Sequence, residues 1–119
     1  DNKVAAKIPT AGPGLFIRTV KNTPYVWADA VFSKEPRNII YAIEKDPPFK
    51  VHEIRIEGGK KCLHPELTAD GKYVYISDWN GNKVYVYDAK TLKQVKVFDD
   101  IPTPTGIFCS CRRYETLGH

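Results

Sequence analysis

The sequence predicts an all-β fold built from repeated four-stranded antiparallel units, and three observations carry that prediction. Residues 73–78 and 83–88 alternate apolar and polar side chains around the turn Asn80-Gly81-Asn82, which is the pattern of a β-hairpin. Tyr25-Val26-Trp27 resembles Tyr73-Val74-Tyr75 and precedes it by 48 positions. No stretch has the periodicity of an amphipathic helix. Four short strands in a unit of roughly 45 residues are typical of a β-propeller blade.

The first unit can be followed strand by strand. Residues 3–8 form a predicted short strand, and the segment Pro9-Thr10-Ala11-Gly12-Pro13-Gly14 is a turn-rich connection. Four strands are then predicted over residues 15–20, 25–32, 39–45 and 50–56. The turn 21–24, the loop 33–38 with its proline, and the break Asp46-Pro47-Pro48 separate them.

The second unit repeats this order. After a loop at residues 57–61, strands are predicted over 62–69, 72–79, 83–90 and 94–99, the first of them interrupted by Pro65. A third cycle begins at Ile101, where Ile-Pro-Thr-Pro-Thr-Gly-Ile-Phe echoes Ile8-Pro9-Thr10 and Leu15-Phe16. We therefore predict two blades, over residues 14–56 and 62–100, and a closing strand over residues 105–113.

Two blades are too few for a ring. Propellers close with about four or more blades, and each blade buries its apolar faces only against its neighbours. The chain of 119 residues has room for one domain. We predict that it is the C-terminal part of a larger propeller, with the remainder of that propeller or other copies of the chain as partners.

Composition excludes several classes of partner. The net charge is +4, but the basic residues are dispersed, and the longest basic groups are Lys60-Lys61 and Arg112-Arg113. Such pairs are too short to follow a phosphate backbone, so we predict no nucleic-acid partner. No run approaches the roughly 18–20 apolar residues of a membrane span, and we recognise no signal peptide at Asp1. Three cysteines do not define a disulfide framework.

One set of loops is predicted to face the mouth of the central channel. Strand alternation puts residues 10–14, 58–64 and 103–106 on the same side of the disc as the turns 33–38 and 80–82. Glycine lets the backbone approach a flat ligand closely, so Gly12, Gly14 and Gly106 are candidate ligand-binding residues, with hydroxyls from Thr10, Thr103 and Thr105. The alternative is that these residues only turn the chain between blades.

His64 is the candidate side chain for ligand contact or proton donation, because it lies on a predicted inner strand before Pro65-Glu66. A hydrogen-bonded structural role is the alternative. His52 and His119 are predicted to be solvated. Asp70, Asp78 and Asp88 lie at turns or strand ends and are predicted to cap them.

A metal site is a further alternative. Cys62-x-His64 and Cys109-x-Cys111 lie on the inner strands of successive units, and a spacing of two would direct each pair to one face. Thiolates and imidazole suit zinc. The CxxC spacing of common zinc sites is absent, and packing cysteines or a single disulfide explain the same residues. No nucleophile, phosphate-loop, helical metal or dinucleotide motif is present.

Several segments resemble the last blades of the haem d1 propeller of cytochrome cd1 nitrite reductase and its relatives. They are GPGLFIRT, YVWADAVF, LHPELTADGKYVYISDW, VYVYDAKTLKQVKVF and TPTGIF, and the resemblance as a whole covers residues 3–108. The strand DGKYVYISDW also occurs in generic propellers of the YVTN type, whereas GPGLFIRT and TPTGIF are more distinctive. The tail Cys109–His119 departs from the usual family ending.

The resemblance implies an eight-bladed propeller with haem d1 in its mouth, located in the periplasm and served by an electron-donor protein. It implies reduction of nitrite to nitric oxide in denitrification, or assistance in haem d1 maturation. The histidines that bind the haem iron come from earlier blades, so no iron ligand is assigned to this chain. Gly12–Gly14, His64 and Thr105-Gly106 match family segments that approach the macrocycle. The alternatives are a non-enzymatic YVTN-like propeller used for protein–protein interaction and a small zinc-binding β protein.

Overall fold

Eight strands form two four-stranded antiparallel sheets in the computed structural model, which describes residues 4, 6–35 and 37–104. The first sheet contains β1 (Ile17–Arg18), β2 (Tyr25–Asp29), β3 (Ile39–Glu44) and β4 (Val51–Arg55). The second contains β5 (Cys62–Leu67), β6 (Tyr73–Asp78), β7 (Lys83–Asp88) and β8 (Gln94–Phe98). Strands within each sheet follow chain order, as predicted. The residues that the structure describes contain no helix long and apolar enough to span a membrane.

The central hairpin is formed by β6 and β7, which pair along their full length on either side of the turn at residues 79–82. Tyr73 pairs with Asp88 at one end, and Asp78 pairs with Lys83 at the other. Asn82 takes a positive φ of 56°, a conformation that asparagine tolerates better than most residues. The first sheet repeats the arrangement in β2 and β3, where the pairing ends at Asp29 and Ile40. The predicted repeat of hairpin-built units is therefore confirmed.

The apolar core lies between the two sheets. Because side chains alternate along a strand, each sheet turns one set of residues towards the other. The first sheet contributes Trp27, Ile40, Ala42, Ile54 and Ile56, and the second contributes Cys62, Leu67, Val74, Ile76, Tyr85, Tyr87 and Ala89. All of these residues are buried.

The sheets meet along their inner edges and diverge outwards. Among the described strands, only β5 of the second sheet lies close to the first sheet, where it runs beside β1, β2 and β3. The outer strands β4 and β8 do not approach one another. Two sheets arranged in this way form a wedge, as neighbouring blades of a propeller do, rather than a closed sandwich.

The predicted clustering of loops at one end of the sheets is also observed. The N–H of Phe32 donates to the carbonyl of Pro13 at 2.9 Å, and the N–H of Cys62 donates to the carbonyl of Arg37 at 2.9 Å. The N–H of Thr103 donates to the Asn82 side-chain oxygen at 2.9 Å. Three inward-running segments thus contact the turns of the two hairpins on the same side.

The structure departs from the prediction at the start of the chain. Val4 and residues 6–8 are irregular, so the strand predicted over residues 3–8 is wrong for its described part. A strand needs a neighbour for its backbone hydrogen bonds, and no described strand pairs with this segment. The strand predicted over residues 15–20 is reduced to Ile17–Arg18. The closing strand predicted over residues 105–113 lies outside the described residues.

Ile76 tests the core between the sheets. Its side chain is fully buried, so we expect Ile76→Ala to lower the free energy of unfolding by about 2–5 kcal/mol. Val95 on β8 is 52% exposed, and Val95→Ala should change that free energy by less than about 0.5 kcal/mol. Urea unfolding followed by tryptophan fluorescence measures both, and equal effects of the two substitutions would contradict the described core.

Candidate functional site

The candidate site is centred on His64, at the joint between the inner strands of the two sheets. Its imidazole stacks on the ring of Phe16 with 3.9 Å between centroids and 9° between planes. Phe16 immediately precedes β1, whereas His64 lies in β5. Only 7% of His64 is exposed. The ring is therefore held between two blades rather than displayed by one.

A β-bulge gives His64 this position. The pairing of β5 with β6 shifts between Leu63 and Glu66, so that His64 and Pro65 together oppose the single residue Ile76. His64 has a φ of 52°, in the left-handed region that non-glycine residues rarely adopt. Pro65 has no N–H to lose from the ladder, which suits it to a bulge.

The bulge also corrects the expectation that Cys62 and His64 share a face. A spacing of two directs side chains to one face only in a regular strand. Cys62 packs in the core between the sheets, while His64 stacks on Phe16 beside β1. The zinc alternative thus loses the regular strand spacing on which it rested at Cys62 and His64.

Glu66 follows the bulge and connects His64 to β1. Its Oε2 lies 3.1 Å from His64 Nε2 and 3.4 Å from Arg18 Nε. The side chains of Glu66 and Arg18 are only 3% and 14% exposed. Burying a carboxylate is costly unless charged or hydrogen-bonding groups face it, and here both an imidazole and a guanidinium do.

Asp29 holds the backbone of the same joint. Its Oδ1 accepts a hydrogen bond from the Leu15 N–H at 2.8 Å, and its Oδ2 accepts one from the His64 N–H at 2.9 Å. The Val31 N–H lies 3.4 Å from Oδ1. Asp29 is only 4% exposed. One buried carboxylate thus binds the loop before β1, the turn after β2 and the strained residue of the next blade.

The glycine loop packs against the first blade. A Cβ on Gly14 would overlap the carbonyl oxygen of Asp29, and a Cβ on Gly12 would lie 2.6 Å from the Ser33 Cβ. Their bare backbone therefore allows a close approach within the protein. Contact of Gly12, Pro13 and Gly14 with a ligand stays a prediction, and Thr105 and Gly106 lie outside the described residues.

The remaining candidates have structural partners. Asp70 and Asp88 cap turns as predicted, since each accepts N–H groups from residues just after it at 2.8–3.0 Å. These hydrogen bonds lower the pKa of both carboxyls. His52, predicted to be solvated, is instead half-buried and lies 2.8 Å from Glu44.

Asp78 does more than cap a turn. It is fully buried, and its carboxylate accepts the N–H groups of Lys60, Lys61 and Gly81 at 2.9–3.1 Å. The proposed ligands Cys109 and Cys111 lie outside the described residues. Within that described part, no three His, Cys, Asp or Glu residues are grouped to hold a metal ion.

Sequence reasoning did not find Phe16, Arg18, Asp29 or Glu66. Phe16 lies just before β1 and Arg18 lies at the end of β1, and they contact His64 and Glu66, respectively. Their partners lie 48 residues away, and that separation gives no local signal. One repeat was visible in the sequence: the second strand of each unit ends in an aspartate, Asp29 in β2 and Asp78 in β6.

A family model, the cytochrome D1 heme domain, matches residues 1–113. The chain belongs to the cytochrome d1 haem domain family. The resemblance noted in the sequence is thereby confirmed.

Three curated relatives of this d1-family chain are similar at the level of sequence. It is 37% identical over 95 residues to the dihydro-heme d1 dehydrogenase of Pseudomonas aeruginosa, a match covering 79% of the chain and 19% of the relative. Protein NirF of Stutzerimonas stutzeri is 31% identical over 113 residues, covering 93% of the chain and 27% of the relative. The nitrite reductase of the same organism is 30% identical over 120 residues, covering 86% and 21%. The chain thus spans about a fifth to a quarter of these relatives.

Solved structures agree on the fold. The d1-family chain superposes on dihydro-heme d1 dehydrogenase NirN in complex with DHE with a TM-score of 0.73 and 35% identity, over 82% of the chain and 21% of that structure. The Myceliophteria thermophila Cps50 (Swd1) β-propeller domain gives a TM-score of 0.59 at 17% identity, over 80% of the chain and 30% of that domain. The predicted fold, an all-β piece of a propeller, is therefore confirmed.

Gly14 tests the backbone packing of the joint. Its missing Cβ makes room for the Asp29 carbonyl, so we expect Gly14→Ala to lower the free energy of unfolding by about 2–3 kcal/mol. Gly58 has a φ of 79° but open space around its Cα, so Gly58→Ala should cost only about 1 kcal/mol of backbone strain. Denaturant unfolding compares the two. A Gly14→Ala effect no larger than that of Gly58→Ala would contradict the packing.

Cys62 provides a test with pH. Burial, and secondarily the negative charge of Asp78, raise the pKa of its thiol above the ordinary value of 9.0. The native thiol keeps its proton while the unfolded thiol ionises, so the stabilisation is complete below pH 9.0 and declines above it. Each pH unit above 9.0 should remove about 1.4 kcal/mol from the free energy of unfolding.

The measurement uses a Cys109→Ser/Cys111→Ser background, in which Cys62 is the remaining thiol. Denaturant unfolding is compared with and without Cys62→Ala across alkaline pH. The variant lacks the titrating thiol, so the stability difference between the two proteins should narrow as pH rises. A constant difference, or rapid alkylation of native Cys62, would contradict its burial.

Proposed function

We propose that this chain forms two blades of a haem d1-binding propeller and supplies part of the wall around the cofactor. The observation that carries the proposal is the match of residues 1–113 to the cytochrome d1 haem domain. The 35% identity to a dehydrogenase structure in complex with DHE adds support. The chain spans only about a fifth of that structure, so the pocket is shared with blades outside the chain.

The residues at the inner edge fit a wall rather than an iron ligand set. Leu15 and Ile17 are 53% and 62% exposed beside the stacked pair Phe16–His64. An apolar strip next to a flat imidazole suits the edge of a macrocycle. When bound, the haem supplies the redox chemistry, and these residues orient it and exclude water.

Gly12, Pro13, Gly14, His64, Thr105 and Gly106 are the residues we propose to line the pocket. The two blades, residues 14–56 and 62–100, with the closing strand 105–113, are proposed to be the last part of an eight-bladed ring. We further propose that the whole protein works in the periplasm and receives or donates electrons through a partner protein.

Two reactions compete for the whole protein. Dehydrogenation of dihydro-haem d1 is the chemistry named for the dehydrogenase relative, and nitrite reduction is the chemistry named for the reductase relative. The higher identity, 37% against 30%, favours the maturation branch. If the protein is instead a non-enzymatic propeller used for protein–protein interaction, it should bind no haem d1.

A chimaera tests the haem-binding proposal. The 95 aligned residues of the Pseudomonas aeruginosa dehydrogenase are replaced by the corresponding residues of this chain. We expect the folded chimaera to bind haem d1 in an absorbance titration, because the remaining blades supply the iron ligands. The 119-residue chain alone should bind weakly or not at all.

The matched control carries two blades of the Cps50 propeller domain in the same place, because that domain shares the fold at only 17% identity. It should fold without binding haem d1. A folded chimaera that fails to bind would contradict the haem-binding proposal. Tight one-to-one binding by the 119-residue chain alone would contradict a pocket shared with other blades.

A further inference from the structure

We propose that Glu66 is a positioning residue that holds His64 as the Nε2–H tautomer, so that His64 acts on the cofactor through the lone pair of Nδ1. The tautomer follows from the geometry of the joint. Its action on a cofactor rests on the proposed function. In this tautomer the Nδ1 atom of His64 accepts a hydrogen bond, whereas the simplest expectation for a pocket histidine is that it donates a proton.

Glu66 and His64 meet through their side chains. Glu66 Oε2 lies 3.1 Å from His64 Nε2, and the side chains are 3% and 9% exposed. An ionised carboxylate can only accept hydrogen bonds. Nε2 must therefore carry the proton of this hydrogen bond, and a neutral imidazole then has its lone pair on Nδ1.

Glu66 also faces the positive charge of Arg18. Arg18 Nε lies 3.4 Å from the same Oε2, and a guanidinium stays protonated in proteins. A fixed positive charge beside a buried carboxyl favours its ionised form. Arg18 thus keeps Glu66 an acceptor, which is the state that selects the tautomer.

Three contacts fix the orientation of the His64 ring. Phe16 covers one face of the imidazole at 3.9 Å, and Asp29 fixes the backbone of His64 through its N–H. A histidine held by stacking, a backbone hydrogen bond and a carboxylate has little freedom to flip. Similar carboxylate–histidine pairs orient imidazoles and set their tautomer in metal sites.

The chain contains a matched pair without these constraints. His52 Nε2 lies 2.8 Å from Glu44 Oε2, but the side chains are 29% and 38% exposed. Tyr25 meets the His52 ring edge-on rather than stacking on it, and Glu44 forms an ion pair with His52. The two pairs share their chemistry and differ in burial, so Glu44 is the site of the matched control substitution.

A cofactor that contacted Nδ1 of His64 would meet a hydrogen-bond acceptor there. The complementary ligand group is a donor, such as a hydroxyl, a protonated carboxyl or a bound water. We do not propose that Glu66 contacts the ligand; its role is to position His64.

The tautomer is measured without any cofactor. The full chain carrying His52→Gln and His119→Gln retains one histidine, whose ring nitrogens are read from long-range proton–nitrogen NMR spectra at mildly alkaline pH. We expect a single Nε2–H form. A predominant Nδ1–H form, or rapid averaging between the Nε2–H and Nδ1–H tautomers, would overturn the assignment.

Glu66→Gln then separates positioning from simple packing, because glutamine keeps the shape but loses the charge. We expect exchange of the Nε2 proton with water to become roughly tenfold faster, as a neutral hydrogen bond replaces a charge-assisted one. Glu66→Asp should recover part of the protection. Glu44→Gln, tested on His64, should change nothing, and an equal response to both glutamine variants would overturn the positioning role.

The cofactor arm uses the chimaera. Glu66→Gln should weaken haem d1 binding roughly tenfold with the fold retained, whereas Glu44→Gln should not. A chimaera that binds no haem with either sequence contradicts the proposed function, while the NMR result still decides the tautomer. If the chimaera binds haem and Glu66→Gln leaves its affinity unchanged, the action of His64 on the cofactor is overturned.

Discussion

The buried carboxylate of Asp29 is the constraint on which the joint between the blades depends. It accepts N–H groups from Leu15 and from His64, which belong to different blades and have no strand partner at those atoms. A buried N–H without an acceptor costs about 1–3 kcal/mol, and the carboxylate removes that cost at His64. Gly14 lets the loop come close enough, because any side chain there would overlap the Asp29 carbonyl. The joint and the candidate site are therefore one feature.

The second blade uses the same solution. Asp78 ends β6 as Asp29 ends β2, and it too is fully enclosed and accepts backbone N–H groups from the preceding loop. Gly81 presses against its carboxylate without room for a Cβ. The difference lies in the partners. Asp29 reaches His64 across the blades, whereas Asp78 accepts N–H groups from the loop just before β5 and from Gly81. Its charge adds to burial in keeping the Cys62 thiol protonated.

Local pattern was enough to predict the blades. Alternation and the Asn-Gly turn gave the β6–β7 hairpin, and the repeat gave β2 and β3, because each of these pairings joins residues close in the sequence. The bulge at His64 was beyond the same reasoning, although Pro65 marked an interruption there. Its cause is distributed: the positive φ of His64 is maintained by Asp29, 35 residues earlier, and by the stacking of Phe16. The strand assigned to residues 3–8 failed for the opposite reason. Its residues suit a strand, but no described strand is available to pair with it.

The position of His64 has a consequence for how a pocket here would assemble. Its backbone is held by Asp29 of the first blade, and its ring is held by Phe16 of the first blade and Glu66 of the second. Separating the blades would remove the first two contacts and leave a non-glycine residue in a strained conformation. The histidine can then adopt its described geometry only when the two blades are docked. A ligand that binds this geometry must, by linkage, stabilise the docking of the blades by the same free energy that docking contributes to its binding. Cofactor affinity and blade packing in this region are therefore two measurements of one equilibrium.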